Sequence, residues 1–173
     1  SGVDTSVTDR TRHGAFISGA EAFDSRRFAI SPAEAGAMDP QQRVLLEVGY
    51  VALHASSFDK VTLNGRGTGV ALGIYATEFA QLLAGSPLGR SVYASTGFSC
   101  SVTCGRVSFV LGLHGPCASY DTACSASLVA QHGSIRALQR VECDAALSAG
   151  VNMLLDPAAM RGNAVAGFTS VRG

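Results

Sequence analysis

Tryptophan is absent from these 173 residues, and charge is scarce, with only 15% of the chain Asp, Glu, Lys or Arg. The charges also cancel, 13 basic against 13 acidic, and no basic stripe gathers along any segment. That balance argues against nucleic acid and anionic membrane as partners. No apolar run approaches the ~20 residues of a membrane span, and no signal-peptide pattern opens the chain. The five cysteines, Cys100, Cys104, Cys117, Cys124 and Cys143, lack CxxC spacing and paired histidines. A zinc site or a disulfide scaffold therefore fits poorly. The expected setting is reducing, in the cytoplasm or an organelle, with four of the five thiols acting as small core residues. Methionine is missing before Met38 and the last residues carry no cap, so a piece of a longer protein is expected.

What is present suits a buried α/β interior. Hydrophobic residues make up 47% of the chain, and its length is enough for one domain with a sizeable core. Residues 1–30 read as polar and irregular, with Phe16, Phe23 and Phe28 expected to pack a flap onto the core. Ser31-Pro32-Ala33-Glu34 and Asp39-Pro40-Gln41-Gln42 are helix-opening patterns, each with proline at the first helical position. Val44, Leu45, Val48, Val51, Ala52 and Ala55 then form an apolar stripe at helical spacing.

Thr68–Ile74 reads as a buried strand and Ala145–Val151 as a central parallel one, both interior to the same sheet. Between them a helix is expected over Ser99–Leu111, closed by Gly112 and the Gly115-Pro116 turn. Gly65-Arg66-Gly67-Thr68-Gly69 precedes a strand instead of joining a strand to a helix, so it reads as a turn and not a phosphate loop. Arg26-Arg27 and Arg136/Arg140 read as solvated faces or local ion pairs. From Asp156 only a short helix and loop are expected. The alternation predicts a parallel or mixed sheet with helices on both faces.

The sharpest signal is Asp121-Thr122-Ala123-Cys124-Ser125-Ala126-Ser127-Leu128. Pro116–Asp121 reads as a short buried strand. Leu128, Ile135, Leu138 and Val141 fall on one helical face, so a helix starts near Ser125. A cysteine at such a junction sits at the positive end of a helix with backbone N–H groups beside it. That placement favours a thiolate and, later, the oxyanion of a thioester intermediate. The layout mimics the nucleophile elbow of serine hydrolases, with sulfur in place of oxygen. Asp121 suits a turn-fixing role better than that of a base, because a nearby carboxylate opposes thiolate formation.

This octapeptide resembles the active-site segment of β-ketoacyl synthases of type I polyketide and fatty acid synthases. Two further segments carry the same resemblance in the same order: Ala37–Val48, with Met38-Asp39-Pro40-Gln41-Gln42-Arg43, and Thr103–Pro116, with Gly105-Arg106-Val107-Ser108. Tyr50, Cys117 and Ala126 depart from residues common in the family, each by a small or shape-conserving change.

The resemblance implies a thiolase-like fold of αβαβα layers. Residues 1–173 would be a partial ketosynthase domain: most of its first half, without the opening strand or the second half. It implies that Cys124 is the nucleophile and that its backbone N–H is one oxyanion donor. It implies no bound cofactor, since substrates arrive on the phosphopantetheine arm of an acyl carrier protein. It also implies a homodimer paired along the strand that leads to the nucleophile. The family's two catalytic histidines, in His-Gly-Thr-Gly-Thr and Asn-Ile-Gly-His motifs, lie beyond this chain. His114 and His132 match structural positions, and His13 and His54 have surface-like contexts. Polyketide elongation is the favoured function. A fatty acid synthase ketosynthase and a non-catalytic docking or dimerisation scaffold are the alternatives.

Overall fold

The computed structural model describes residues 5–75 and 78–172. Along the chain run α1 (Thr5–Arg10), α2 (Pro32–Ala37), α3 (Pro40–Ala55), α4 (Lys60–Leu63), β1 (Thr68–Ile74), α5 (Phe79–Ala84), α6 (Ala94–Gly97), α7 (Cys100–Leu111), β2 (Cys117–Tyr120), α8 (Ala126–Gln139), β3 (Ala145–Val151) and α9 (Pro157–Val165). Short 3-10 turns lie at Ser25–Phe28, Pro87–Arg90 and Ala123–Ser125.

Two compact units are present. The smaller combines the segment up to Gly19 with the segment from Met153. In it α1 packs on α9, and Arg10 Nη1 donates to the Thr169 carbonyl at 3.4 Å. Asp156 Oδ1 caps α9 by accepting from Ala158 N at 2.7 Å. Phe16, expected in a flap with Phe23 and Phe28, belongs to this unit and is 94% exposed, whereas Phe23 and Phe28 stack on each other in the larger one.

The larger unit, Ala20–Asn152, holds the sheet. Its strands run parallel in the order β2-β1-β3, with Val70 opposite both Cys117 and Leu147. Alternation along the strands makes two unlike faces. Val70, Leu72 and Leu147 join a core with Leu45, Leu46, Tyr50, Leu53, Cys104, Val107 and Leu111, which places α3 and α7 on this side. The opposite side is lined by Gly69, Ala71, Gly73, Ala118, Ala146 and Gly150, and α8 lies on it. One face is built to fill space and the other to let a helix approach closely.

Three expectations are corrected here. Among the described residues β3 pairs only with β1, and β2 likewise, so there both are edge strands and half-exposed, and β1 alone is interior. In α3 the buried side is Leu45, Leu46, Gly49, Tyr50 and Leu53, while Val48 and Val51 are about 60% exposed. The helix turns that side inward because Gly49 admits Leu147, whose Cδ2 would lie 3.1 Å from a Cβ there. In α8 the packed residues are the small Ala126, Ala130 and Ser134, and the stripe of Leu128 (68% exposed), Ile135 and Leu138 faces away from the sheet. Arg27 is exposed, as its reading as a solvated face expects, with its guanidinium 4.6 Å from the centre of the Tyr50 ring.

The start of α3 is a buried polar junction. Asp39 Oδ1 accepts from Gln41 N at 2.7 Å, Asp39 N donates to Gly97 O at 2.8 Å, and Gln42 Nε2 donates to Thr96 O at 3.1 Å. Burial pushes the Asp39 carboxyl above the ordinary aspartate range, against the lowering effects of Gln41 and Arg43. Because the fold holds this proton more tightly than the unfolded chain does, Asp39 contributes most stability below the ordinary aspartate range. That contribution is lost as pH rises through the elevated pKa. Asp39→Asn keeps the cap and removes the titration. Urea unfolding from pH 4 to pH 7 is expected to show a shallower loss of stability in this variant than in the parent chain.

Candidate active site

β2 delivers the chain to the C-terminal end of the sheet, and the next five residues turn it into α8. Asp121 Oδ1 accepts from Ala123 N at 3.3 Å, an Asx-type contact that sets the turn. Ser125 Oγ donates to Thr122 O at 2.8 Å and lies 2.9 Å from Thr122 Oγ1. Between them Ala123 adopts φ +53°, a left-handed conformation that costs a non-glycine residue ~1–2 kcal/mol. The strain sits at the residue before Cys124, where the strand reverses direction. Cys124 follows in a 3-10 turn, exposed, one residue ahead of the Ser125 cap of α8.

Two glycines fix that turn in space. Gly73 of β1 and Gly150 of β3 are register partners and together form a notch under the first turn of α8. A Cβ on Gly73 would lie 2.5 Å from Ala126 C and Ser127 N, and one on Gly150 would lie 2.6 Å from Ser127 Cβ. Backbone meets backbone, so Cys124 is carried above the end of the central strand. Sequence reasoning passed over both glycines. Their signal was glycine inside an otherwise apolar strand, which marks a close approach.

Around this turn the other chemistry is sparse. Cys100, at the start of α7, points its Sγ toward Tyr75 O at 3.8 Å, and its own carbonyl accepts from Ser119 Oγ at 2.7 Å. Burial pushes the Cys100 thiol up, with Asp121 and Asp39 adding to the effect. His13, His54, His114 and His132 are all exposed, and no hydrogen bond joins any of them to Cys124 among the described residues. No group of His, Cys, Asp and Glu among those residues could hold a metal ion.

The cysteines divide differently from expectation. Cys104 and Cys143 are buried, Cys100 is half-buried, and Cys117 is exposed like Cys124, because β2 lies at the sheet edge. The Cys117 thiol is also pushed up, by desolvation first and then by the adjacent Cys104. Iodoacetamide at neutral pH is therefore expected to label Cys124 before Cys100 or Cys117. Peptide mapping of a time course measures the order; earlier labelling of Cys100 would count against the arrangement.

A family model described as the N-terminal domain of β-ketoacyl synthase matches residues 3–173. The chain belongs to the β-ketoacyl synthase family. It is 45% identical over 147 residues to a subunit of the phenolphthiocerol/phthiocerol polyketide synthase of Mycobacterium tuberculosis, covering 85% of this chain and 10% of that protein. It is 46% identical over 149 residues to the polyketide synthase GfsB of Streptomyces halstedii, covering 86% and 3%. Among solved structures, the ketosynthase from module 6 of the bacillaene synthase of Bacillus subtilis 168 superposes with a TM-score of 0.78 at 36% identity, over 88% of this chain and 25% of that one. A mutant form of that ketosynthase gives 0.81 at 32% identity, over 99% and 30%. The fold is thus the thiolase-like α/β fold of ketosynthases, and this chain spans under a third of each of those chains.

Proposed function

We propose that this chain is the N-terminal half of a polyketide synthase ketosynthase domain, and that the whole domain extends polyketide chains by decarboxylative condensation. The observation that carries the reading is the exposed Cys124 on a strained turn, seated by backbone contact on the Gly73–Gly150 notch. In the first step Cys124 Sγ attacks an acyl thioester on a carrier protein's phosphopantetheine arm. The acyl group moves to sulfur and the pantetheine thiol leaves. A malonyl-type thioester on a second carrier then loses carbon dioxide. The carbon of the resulting enolate attacks the Cys124 thioester, a carbon–carbon bond forms, and the Cys124 thiolate leaves. A thiol suits both halves because it is a strong nucleophile and a good leaving group. The Cys124 N–H serves as one oxyanion donor, a contribution whose loss costs ~10²–10³ in rate in comparable sites. No resident cofactor is needed.

Two surfaces fit the larger assembly. The apolar stripe of α8, Leu128, Ile135 and Leu138, faces away from its own sheet and suits coverage by the missing half. The open edge of β2 suits pairing with a second copy of the domain. The carrier partner and the catalytic histidines belong to the parent protein, which we place in the cytoplasm. No helix among the described residues is long and apolar enough to cross a membrane.

The test is carbon dioxide release and ketoacyl product from malonyl- and acyl-loaded carriers, comparing the full domain with this chain. Turnover is expected from the full domain, with at most one acyl transfer to Cys124 from the chain alone. Repeated turnover by the chain alone would remove the need for the downstream half. A full domain that makes no product would overturn the reading.

A further inference from the structure

The helix α7 and the strand β2 are joined by a short turn and run back along one another. Ser119 Oγ donates to the Cys100 carbonyl at 2.7 Å, which fixes two things at once. Side chains at odd positions of β2 point toward α7, and the start of α7 lies over the end of β2. Two residues back along the strand is ~6.6 Å and reaches Cys117. Four residues forward along the helix is ~6 Å and reaches Cys104, with Ser108 one turn further on the same side. The two steps match, so Cys104 lies opposite Cys117. The Cys104 thiol, 3.8 Å from the Ser101 carbonyl in its own helix, is close enough to the Cys117 thiol to raise it, and Ser108 Oγ on the same side is buried without a hydrogen-bond partner among the described residues. Cys104 is 4% exposed, whereas Cys117 is open to solvent. Cys143 lies against Gly69, on the α8 side of the sheet, and so belongs to the other face.

We propose that Cys104 and Cys117 form a reversible disulfide between α7 and β2, with Cys117 as the entry thiol and Cys104 as the resolving one. Both are free thiols in this structure. The oxidant is a low-molecular-weight disulfide such as oxidised glutathione. Cys117, as thiolate, attacks one glutathione sulfur; a mixed disulfide forms and one glutathione thiolate leaves. Cys104 then gives its proton to solvent and attacks the Cys117 sulfur. The Sγ–Sγ bond forms and the second glutathione leaves. Two protein thiols have lost two electrons and two protons, and one glutathione disulfide has become two thiols. The bond clamps the helix to the strand that leads into the Asp121–Cys124 turn. Its formation owes nothing to Cys124 acting as a nucleophile. Because desolvation and the neighbouring thiol raise Cys117, the reaction accelerates as pH rises from neutral.

The experiment uses the protein carrying Cys124→Ala, so that the other exposed thiol does not compete. After incubation with oxidised glutathione, non-reducing peptide mapping should show a Cys104–Cys117 crosslink. The protein should have lost two hydrogen atoms and retained no glutathione, and dithiothreitol should reverse the change. Adding Cys104→Ala should leave a stable glutathione adduct on Cys117. Adding Cys117→Ala, at an exposed position that tolerates it, should leave Cys104 unmodified, which keeps the test decisive if the core variant fails to fold. A lasting Cys117 adduct with Cys104 present, a crosslink to Cys100 or Cys143, or an unreacted Cys117 would each overturn the proposal.

Discussion

Cys124→Ala in the parent domain is expected to bring ketoacyl product down to background and to abolish acyl loading from carrier thioesters. No neighbour can substitute. Ser125 Oγ is committed to Thr122 O and Thr122 Oγ1, and a hydroxyl without a base is a weak nucleophile. The Cys100 thiol points toward the Tyr75 carbonyl, and burial pushes its pKa up, which disfavours the thiolate. Stability should hardly move, since exposed substitutions away from special features change it by about 0.5 kcal/mol or less. Loss of product at an unchanged melting temperature is the signature, read by mass spectrometry of product and of acyl-enzyme. Continued turnover would move the nucleophile elsewhere.

Gly73→Ala should harm the fold and the chemistry together. The added methyl would stand 2.5 Å from Ala126 C and Ser127 N, both backbone atoms that no rotamer change can move. Either the sheet gives way or the first turn of α8 lifts. Overpacking of this kind costs about 1–3 kcal/mol. A shift of the turn by ~1 Å at Cys124 would cost on the order of 10²-fold in rate. Gly105 in α7 is the control, because nothing lies within 4 Å of a Cβ built there. Gly105→Ala should stabilise the helix by about 0.5–1 kcal/mol, as removal of a mid-helix glycine does. Denaturant unfolding and the condensation assay on both variants distinguish the positions. Equal behaviour of Gly73→Ala and Gly105→Ala would dismiss the notch.

The parts of this fold that were legible in sequence are those whose signals are local. Thr68–Ile74, the helix ending at Gly112, and the strand-to-helix change around Cys124 all carry their own punctuation: a run of apolar residues, a left-handed glycine at φ +67°, an Asp-started turn. Orientation was harder. The stripe through Val44, Val48 and Val51 is as periodic as the one through Leu46, Tyr50 and Leu53, and hydrophobicity does not say which meets the sheet. Gly49 decides it, by admitting Leu147. The same applies to α8, where small residues pack and larger ones stay outside, the reverse of a reading by hydrophobicity. Burial of Ala145–Val151 and of Cys117 was overread because an apolar strand looks central even when its own chain supplies one neighbour. The short helices α4, α5 and α6 left no pattern long enough to read. At the site, Cys124 announced itself through its segment, whereas its support from Gly73 and Gly150 comes from strands far apart in the chain.

The β2-β1-β3 order also governs how the molecule can be made. Every ladder in the sheet is parallel, so no strand finds a partner across a hairpin, and β1 must wait through α5, α6 and α7 before β2 is available. Its second partner emerges only after α8. Closing such long intervals delays the reward of pairing until most of the entropy has been lost, which slows folding. On a ribosome the Gly73–Gly150 notch cannot exist until β3 has been synthesised, well after Cys124 itself. Cys124, the proposed nucleophile, therefore leaves the exit tunnel before the seat that orients it, and its reactivity would mature late.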